Sequence, residues 1–231
     1  MNNRHVPKIT GELRAHILEM PDEIYQASGM VVLGKRIKSV VFSTDIAIIR
    51  NCNADAVLAV YPFTPQQAIS HPIISASYIP VFCGVGGGTT TGKRTVTLAK
   101  DAEAQGAIGV VVNAPLPNET VSMISDVVDI PIVATVLNEN TDIEARLEAG
   151  VDILNISAAD RTPQVVRSIR SRYPTVPIIA TGGPTGESIL RTIDAGANTI
   201  SYTPPSTKIL FTSMMDRYRL SLIHISEPTR H

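Results

Sequence analysis

Eight short, continuously apolar runs, spaced roughly 20 to 30 residues apart, constrain this chain more than any other feature. Each is followed by a polar or glycine-containing turn and then by a stretch of helical character. The runs are SVVFST from Ser39, AVLAVYPF from Ala56, IPVFCGV from Ile79, IGVVVNAP from Ile108, IPIVATVL from Ile130, VDILNISA from Val151, VPIIATGG from Val176 and NTISYTPP from Asn198. They predict strands near 39–44, 56–63, 79–85, 108–115, 130–137, 151–158, 176–183 and 198–205. A half-wet strand alternates apolar and polar residues; these do not, so both of their faces must be covered. Aromatic residues make up only 4 % of the chain, so that covering rests on Val, Ile, Leu and Ala. Eight such units in 231 residues match an α/β fold of the (β/α)8 TIM barrel type. A doubly wound open sheet is the alternative, because βα repetition alone does not close a sheet.

The punctuation supports this order. TLAKDAEAQGA, DIEARLEAG and SILRTIDAG carry helices to Gly106, Gly150 and Gly196, each just before a strand, which places these glycines at the bottom of the barrel. The first connection is short, so its helix, Asp45 to about Asn51, spans only a couple of turns. Before the first strand, GELRAHILEM from Gly11 reads as an N-terminal helix, and MVVLGKRIKSVVF holds a Gly34-Lys35 turn between two apolar runs. Helix and short hairpin together are expected to close the barrel bottom. Residues 1–219 read as one barrel domain. The segment LSLIHISEPTR, Leu220 to Arg230, resembles the translated transposase adaptor of sequencing libraries. Residues 220–231 are therefore read as an adaptor scar that interrupts the native frame near Arg219, and they are set aside in reasoning about the fold.

Twenty basic against twenty-one acidic side chains create no field that would draw the chain to nucleic acid or an anionic membrane. The charged opening has no apolar stretch behind it, and no later run approaches the length of a membrane span, which points to the cytoplasm. Cys52 and Cys83 are too few and too far apart for a disulfide scaffold or a zinc site. The sequence is compatible with a homo-oligomer and does not require one.

In barrel enzymes the reactive groups sit where strands end and in the loops that follow. Those positions hold Asp45, Tyr61, Cys83, Asn113, then Thr135, Asn138 and Glu139, then Asn155, Ser157 and Asp160, and finally Thr181, Tyr202 and Thr203. The most unusual loop is GVGGGTTTGKR from Gly84 to Arg94. There Gly86, Gly87 and Gly88 permit backbone N–H groups to converge on an anion, and Thr89, Thr90 and Lys93 add donors. The string approaches a nucleotide-binding P-loop, but Arg94 stands where the magnesium-binding Ser or Thr belongs. A glycine lid with no ligand is the plainer alternative. A second anion site is suggested by Thr181, Gly182 and Gly183, which end the seventh strand just before a helix N-terminus.

On that TGG and the DAGA of Asp194 to Ala197, the chain resembles the phosphate-binding, aldolase-type barrels, such as keto-deoxy-phosphogluconate aldolase and N-acylmannosamine-phosphate epimerase. The likeness runs from about Ser39 to Met215 and implies a phosphate between the loops after strands seven and eight. The chain departs from that pattern twice. The eighth loop reads Thr203-Pro204-Pro205-Ser206-Thr207, where proline offers no N–H and Ser206 and Thr207 must replace the usual glycine donors. Asn155 stands where Schiff-base aldolases of this shape carry a lysine, which argues against that mechanism. Through CGVGGGTT and ATGGPT the chain also resembles a family of small bacterial barrels of undetermined activity, often labelled hydrolases.

A hydrolase needs an activated water, or a nucleophile with a base. Cys83 is the candidate nucleophile, yet His5, His16 and His71 all lie away from strand ends, and a small buried hydrophobe is the alternative role for Cys83. General acid–base work has better candidates. Asp45 or Glu139 would act as base, with a helix cap and a solvated loop charge as their respective alternatives. Asn113 and Asn155 would orient a carbonyl or hydroxyl, and Arg50 and Arg161 are candidate clamps. No metal constellation and no cofactor motif is present in the sequence; Mg2+ held by Asp45 and a substrate phosphate is left open. The sequence therefore reads as an enzyme of lyase or isomerase type acting on a small anionic, phosphorylated metabolite. A hydrolase and a non-catalytic metabolite-binding barrel are the alternatives.

Overall fold

The computed structural model describes residues 17–225 together with Pro7, Ile9 and Gly11. Eight parallel strands close on themselves: β3 (Ser39–Phe42), β4 (Ala56–Ala59), β5 (Val81–Gly86), β6 (Gly109–Val112), β7 (Ile132–Val136), β8 (Ile153–Ile156), β9 (Ile178–Thr181) and β10 (Thr199–Tyr202). The ladder between β10 and β3, with Ile200 opposite Ser39 and Tyr202 opposite Val41, completes the barrel and excludes the open sheet. Seven helices cross back between successive strands: α1 (Ile46–Arg50), α2 (Gln67–Ala76), α3 (Lys93–Ala104), α4 (Asn118–Ser125), α5 (Ile143–Glu148), α6 (Thr162–Arg172) and α7 (Gly186–Asp194). Helix α8 (Thr207–Ile225) follows the last strand.

Residues along each strand divide cleanly between two clusters, as the two-residue period of a strand requires. Val41, Val57, Val110, Ile132, Leu154 and Ile178 face the helices. Val40, Leu58, Phe82, Val111, Val133, Ile153 and Ile179 face inward and fill the lumen. The same inner cluster takes in Met30, Val32 and Ile37 from an antiparallel hairpin, β1 (Met30–Val32) and β2 (Lys35–Ile37). This hairpin is the bottom plug expected from the sequence. Its turn falls one residue earlier than predicted, on Leu33 and Gly34, whose φ values of 46° and 81° match the two-residue turn that suits the right-handed twist of paired strands.

The helix expected over 11–20 falls partly on residues 12–16, which lie outside the described residues. The remainder, Ile17–Met20, is not helical: Leu18 donates to Asn51 and accepts from Asn53, forming a bridge with Cys52. Pro21 disfavours helical geometry at the residue before it, and the chain continues as a short 3-10 turn, Asp22–Gln26. This segment lies in the helix layer and not under the barrel, where Met20, Ile24 and Ala27 are buried beside Ile48, Ile49 and α7. Helix α8 runs through Arg219 into the segment read as an adaptor scar. Of its described side chains, Leu210 packs against the core, while Ile209, Phe211, Met214 and Tyr218 are exposed.

The bottom of the barrel is tied by two repeated devices. Gly106, Gly150 and Gly196 adopt φ values of 95°, 103° and 110°, ending α3, α5 and α7 in the same way. In each, the glycine N–H and the next N–H return to carbonyls of the last helical turn, a termination that needs a residue without Cβ. The residue before a strand also accepts from the first N–H groups of the neighbouring strand. Asp55 takes those of Lys38 and Ser39, Asp152 that of Ile132 and Asn198 that of Ile178. Arg170 then donates to Asn198 and to the carbonyls of Gly196 and Val176. Replacing Asp152 with Ala leaves the Ile132 N–H without its acceptor and is expected to lower stability by about 1 to 2 kcal/mol in urea unfolding. An unchanged midpoint would show that this tie contributes nothing.

Candidate active site

Two residues beyond the apolar lumen layer, the inward positions change character. Phe42 and Val60 remain apolar, but Asn113, Thr135, Asn155, Thr181 and Ser201 take inward positions at the carboxyl ends of their strands. The barrel is thus dry below and polar at its mouth. A cleft of about 600 Å³ lies between Phe42, Tyr61 and the Thr203–Thr207 loop, and one of about 400 Å³ lies beneath the glycine loop; Val60, Tyr61, Pro62 and Asn113 line both. A third, of about 740 Å³, opens at Thr181–Pro184 and runs down between α6 and α7 past Arg167 and Arg191.

The β7–β8 quarter holds the most demanding polar groups. Asn155 is only 7 % exposed; its Nδ2 donates to the Thr135 hydroxyl at 3.3 Å, and its Oδ1 is buried without a hydrogen-bond partner among the described residues. Glu139, on the loop after β7, places Oε2 3.8 Å from the guanidinium of Arg161 after β8. Its other oxygen, Oε1, is likewise buried and unpartnered. A buried polar atom left unpaired costs free energy, and such atoms in a native fold call for a reason.

Asp45 sits apart from this quarter. It caps α1, accepting from the backbone N–H groups of Ala47 and Ile48, while its second oxygen accepts from the Thr207 hydroxyl at 2.5 Å. The Thr207 hydrogen bond, opposed by partial burial and reinforced by the two backbone donors, holds the carboxyl below its usual range. A carboxylate so satisfied is a weak proton acceptor, which favours the capping role over that of base.

Cys83 lies on the helix side of β5, among the residues that pack beneath α2 and α3, and not in the mouth. Burial pushes its thiol up, against a smaller opposing effect from Ser70, so it is neither accessible nor inclined to ionise. Among the described residues no three of His, Cys, Asp and Glu come together as a metal site would require. Asp45, the carboxylate considered for Mg2+, is engaged as a cap and by Thr207.

The glycine loops turn out to be tightly packed. A Cβ on Gly86 would lie 2.5 Å from the Thr95 side chain, and one on Gly87 would lie 2.4 Å from that of Asn113. The N–H groups of Gly87 and Thr90 are spent on each other's carbonyls, which leaves Gly88, Thr89 and Lys93 at the rim. In the second loop the Gly182 N–H goes to Ser201, and Thr185 and Ser188 cap α7 reciprocally. The Glu23 carboxylate also lies against Gly186 at that helix start. After β10, Ser206 accepts from Ile209 and Thr207 is bound to Asp45. Arg50 lies at the end of α1, where it reaches the Ala76 carbonyl and stacks over Tyr78, away from the mouth.

Sequence reasoning missed Arg146. From α5 it donates at 2.6 Å to the carbonyls of both Ala114 and Leu116, pinning the loop that carries Asn113. Nothing in the pattern of a short charged helix marks one arginine for this purpose.

No family profile and no curated protein matches the chain. Solved structures do. Phosphoenolpyruvate phosphomutase from Streptomyces platensis subsp. rosaceus aligns over 87 % of this chain and 85 % of its own, at 14 % identity and a TM-score of 0.61. Phosphonopyruvate hydrolase in complex with oxalate and Mg2+ aligns over 82 % of each chain, at 15 % identity and a TM-score of 0.58. An aldolase, QR15, aligns over 71 % of this chain and 87 % of its own, at 18 % identity and a TM-score of 0.54. The chain therefore shares the aldolase-type and phosphomutase-type barrel fold, and at these identities the likeness is one of fold.

Replacing Asp45 with Ala removes the α1 cap and is expected to lower stability by about 1 kcal/mol. Because the carboxyl pKa is depressed in the folded state, that contribution is full above about pH 3.9 and is lost as pH falls through the lower folded value. The stability difference between wild type and Asp45→Ala should therefore narrow in denaturation series taken below pH 4. A constant difference would contradict this assignment.

Proposed function

We propose that this barrel is an enzyme of lyase or isomerase type that moves a proton next to the carbonyl of a small anionic, phosphorylated metabolite. The observation that carries the reading is Glu139, a carboxylate in the mouth with one oxygen buried and unpartnered and the other set against Arg161. Of the two carboxylates considered as base, Asp45 is consumed by its cap and by Thr207, and Glu139 is not. The kinship of fold with proteins named for phosphoenolpyruvate, phosphonopyruvate and aldol chemistry supports a small acid or carbonyl compound as substrate.

In this reading the substrate anion takes Arg161 as its counter-ion, drawing the guanidinium from Glu139 and leaving that carboxylate to accept the proton. The 3.8 Å separation of the pair makes the exchange inexpensive, since a partly exposed ion pair of that length contributes little. Asn113, at the end of β6 and held in depth by Arg146 through its loop, and Asn155, two strands further round on β8, orient the substrate. Lys93 and the free N–H groups of Gly88 and Thr89 supply a second positive rim for a phosphate. A hydrolase working through Cys83 gains no support from a thiol packed beneath two helices.

The test is proton exchange. Pyruvate, oxaloacetate and phosphorylated keto acids are incubated with the protein in D2O, and loss of the proton next to the carbonyl is followed by NMR. Exchange with at least one of them is expected. Glu139→Gln should slow it about 10²- to 10⁴-fold, whereas Asp45→Asn should leave it within about twofold. Full exchange in Glu139→Gln, or its loss in Asp45→Asn alone, would reverse the assignment.

A further inference from the structure

We infer that the substrate carries a free hydroxyl group beside its acid group, so that this site selects hydroxy acids over the corresponding deoxy acids. The inference rests on the proposed anion site and concerns what else the ligand must present to it. Two polar atoms of the β7–β8 quarter, Asn155 Oδ1 and Glu139 Oε1, are buried with no hydrogen-bond partner among the described residues. Asn155 itself is 93 % buried, and its strand position turns it inward at the level where the lumen becomes polar.

The chemistry of these two atoms narrows the class. A carboxylate oxygen accepts and cannot donate, so the group that satisfies Glu139 must be a donor. The carboxamide of Asn155 meets Thr135, whose hydroxyl both donates and accepts, so either orientation of the amide is compatible with that bond. One orientation leaves an acceptor free and the other a donor. An ammonium group satisfies only the first; a hydroxyl satisfies both. A phosphate or carboxylate satisfies neither Glu139 nor an exposed amide oxygen, which places the anionic end of the ligand at Arg161 and the hydroxyl on the Asn155 side.

Glu139 sits on the loop between β7 and α5, and the ion pair to Arg161 joins that loop to the turn after β8. Glu139 Oε1 belongs to the same carboxylate that Arg161 holds, so an anion that takes Arg161 frees that carboxylate to turn toward the hydroxyl, and the two binding events are coupled. An acid without the hydroxyl would still engage Arg161 but would leave the buried oxygens unpaired. That mismatch is the means by which polar sites reject analogues that lack one group.

The test measures binding of matched acids to the full chain by calorimetry: glycerate, lactate and propionate, and 3-phosphoglycerate against 3-phosphopropionate. The hydroxylated member of each series is expected to bind about tenfold or more tightly. Asn155→Leu, close in shape and without one of the two unpaired oxygens, should melt no lower than wild type and should narrow the preference for hydroxylated over deoxy acids; an unchanged preference would overturn the role given to Asn155. Where Asn155→Leu does not fold, Glu139→Leu, which removes the other unpaired oxygen, should narrow the same preference, and an unchanged preference would overturn the inference. Equal binding of hydroxylated and deoxy acids to wild type would overturn the hydroxyl inference and leave the anion site standing. If none of these acids binds, the anion site falls and this inference falls with it.

Discussion

Closure of the parallel sheet by the β10 to β3 ladder is the constraint on which the rest of this molecule depends. An open parallel sheet would end in two strands with unpaired backbone groups, whereas a closed one pairs every strand on both sides. Closure also creates an inside, and a barrel interior must be filled. The inward residues of seven strands and three residues of the hairpin do so with aliphatic groups and a single Phe82. Since the strands are only four to six residues long, there is room for little more than this apolar layer before the mouth is reached.

That shortness explains the polarity of the mouth. Two residues beyond Ile153 comes Asn155, and two beyond Val133 comes Thr135, so the chain passes from full burial to hydrogen-bonding chemistry in one step of the pleat. The bottom is arranged in the opposite sense. There Asp55, Asp152 and Asn198 each accept from strand N–H groups, and three helices end in the same glycine turn. Polar groups at the bottom are satisfied by the fold; at the mouth, Asn155 and Glu139 keep oxygens that the fold does not satisfy. This division between a closed face and an unsatisfied one follows the general arrangement of such barrels, in which one end stabilises and the loops at the other carry chemistry.

The glycine loops show how one sequence signal serves two physical ends. Runs of glycine read as backbone cradles for an anion, but Gly86 and Gly87 are also required because Thr95 and Asn113 occupy the space a Cβ would need. Gly182 is similarly confined by Ile200 and Ile189. Close packing fixes the depth of Asn113 and Thr181 in the mouth, so the glycines shape the site even where their N–H groups are spent elsewhere. Cys83 shows the reverse: a reactive residue type at a strand end, turned by the strand's parity toward the helices, where its thiol is inert.

Much of the fold was legible in the sequence because it follows from local periodicity. Continuous apolar runs located the eight strands, Ala-Gly endings marked the helix termini, and the hairpin before the first strand read correctly as the plug. Ile17–Met20, the described end of the helix expected before the hairpin, did not, because a short amphipathic string is also consistent with extended chain, and Pro21 and the bridge from Leu18 to Cys52 decide between them only in three dimensions. Of the candidate site, the sequence by itself determined which residue types stand at the strand ends, since register along a strand is a matter of counting. Only the tertiary structure decided which of them face the lumen and which already have partners. Asp45 is claimed by Thr207, 162 positions away, Glu139 is set against Arg161, and Arg146 holds the Asn113 loop from a neighbouring helix. Contacts between residues distant in sequence leave no trace in periodicity, because they depend on how the chain folds back on itself.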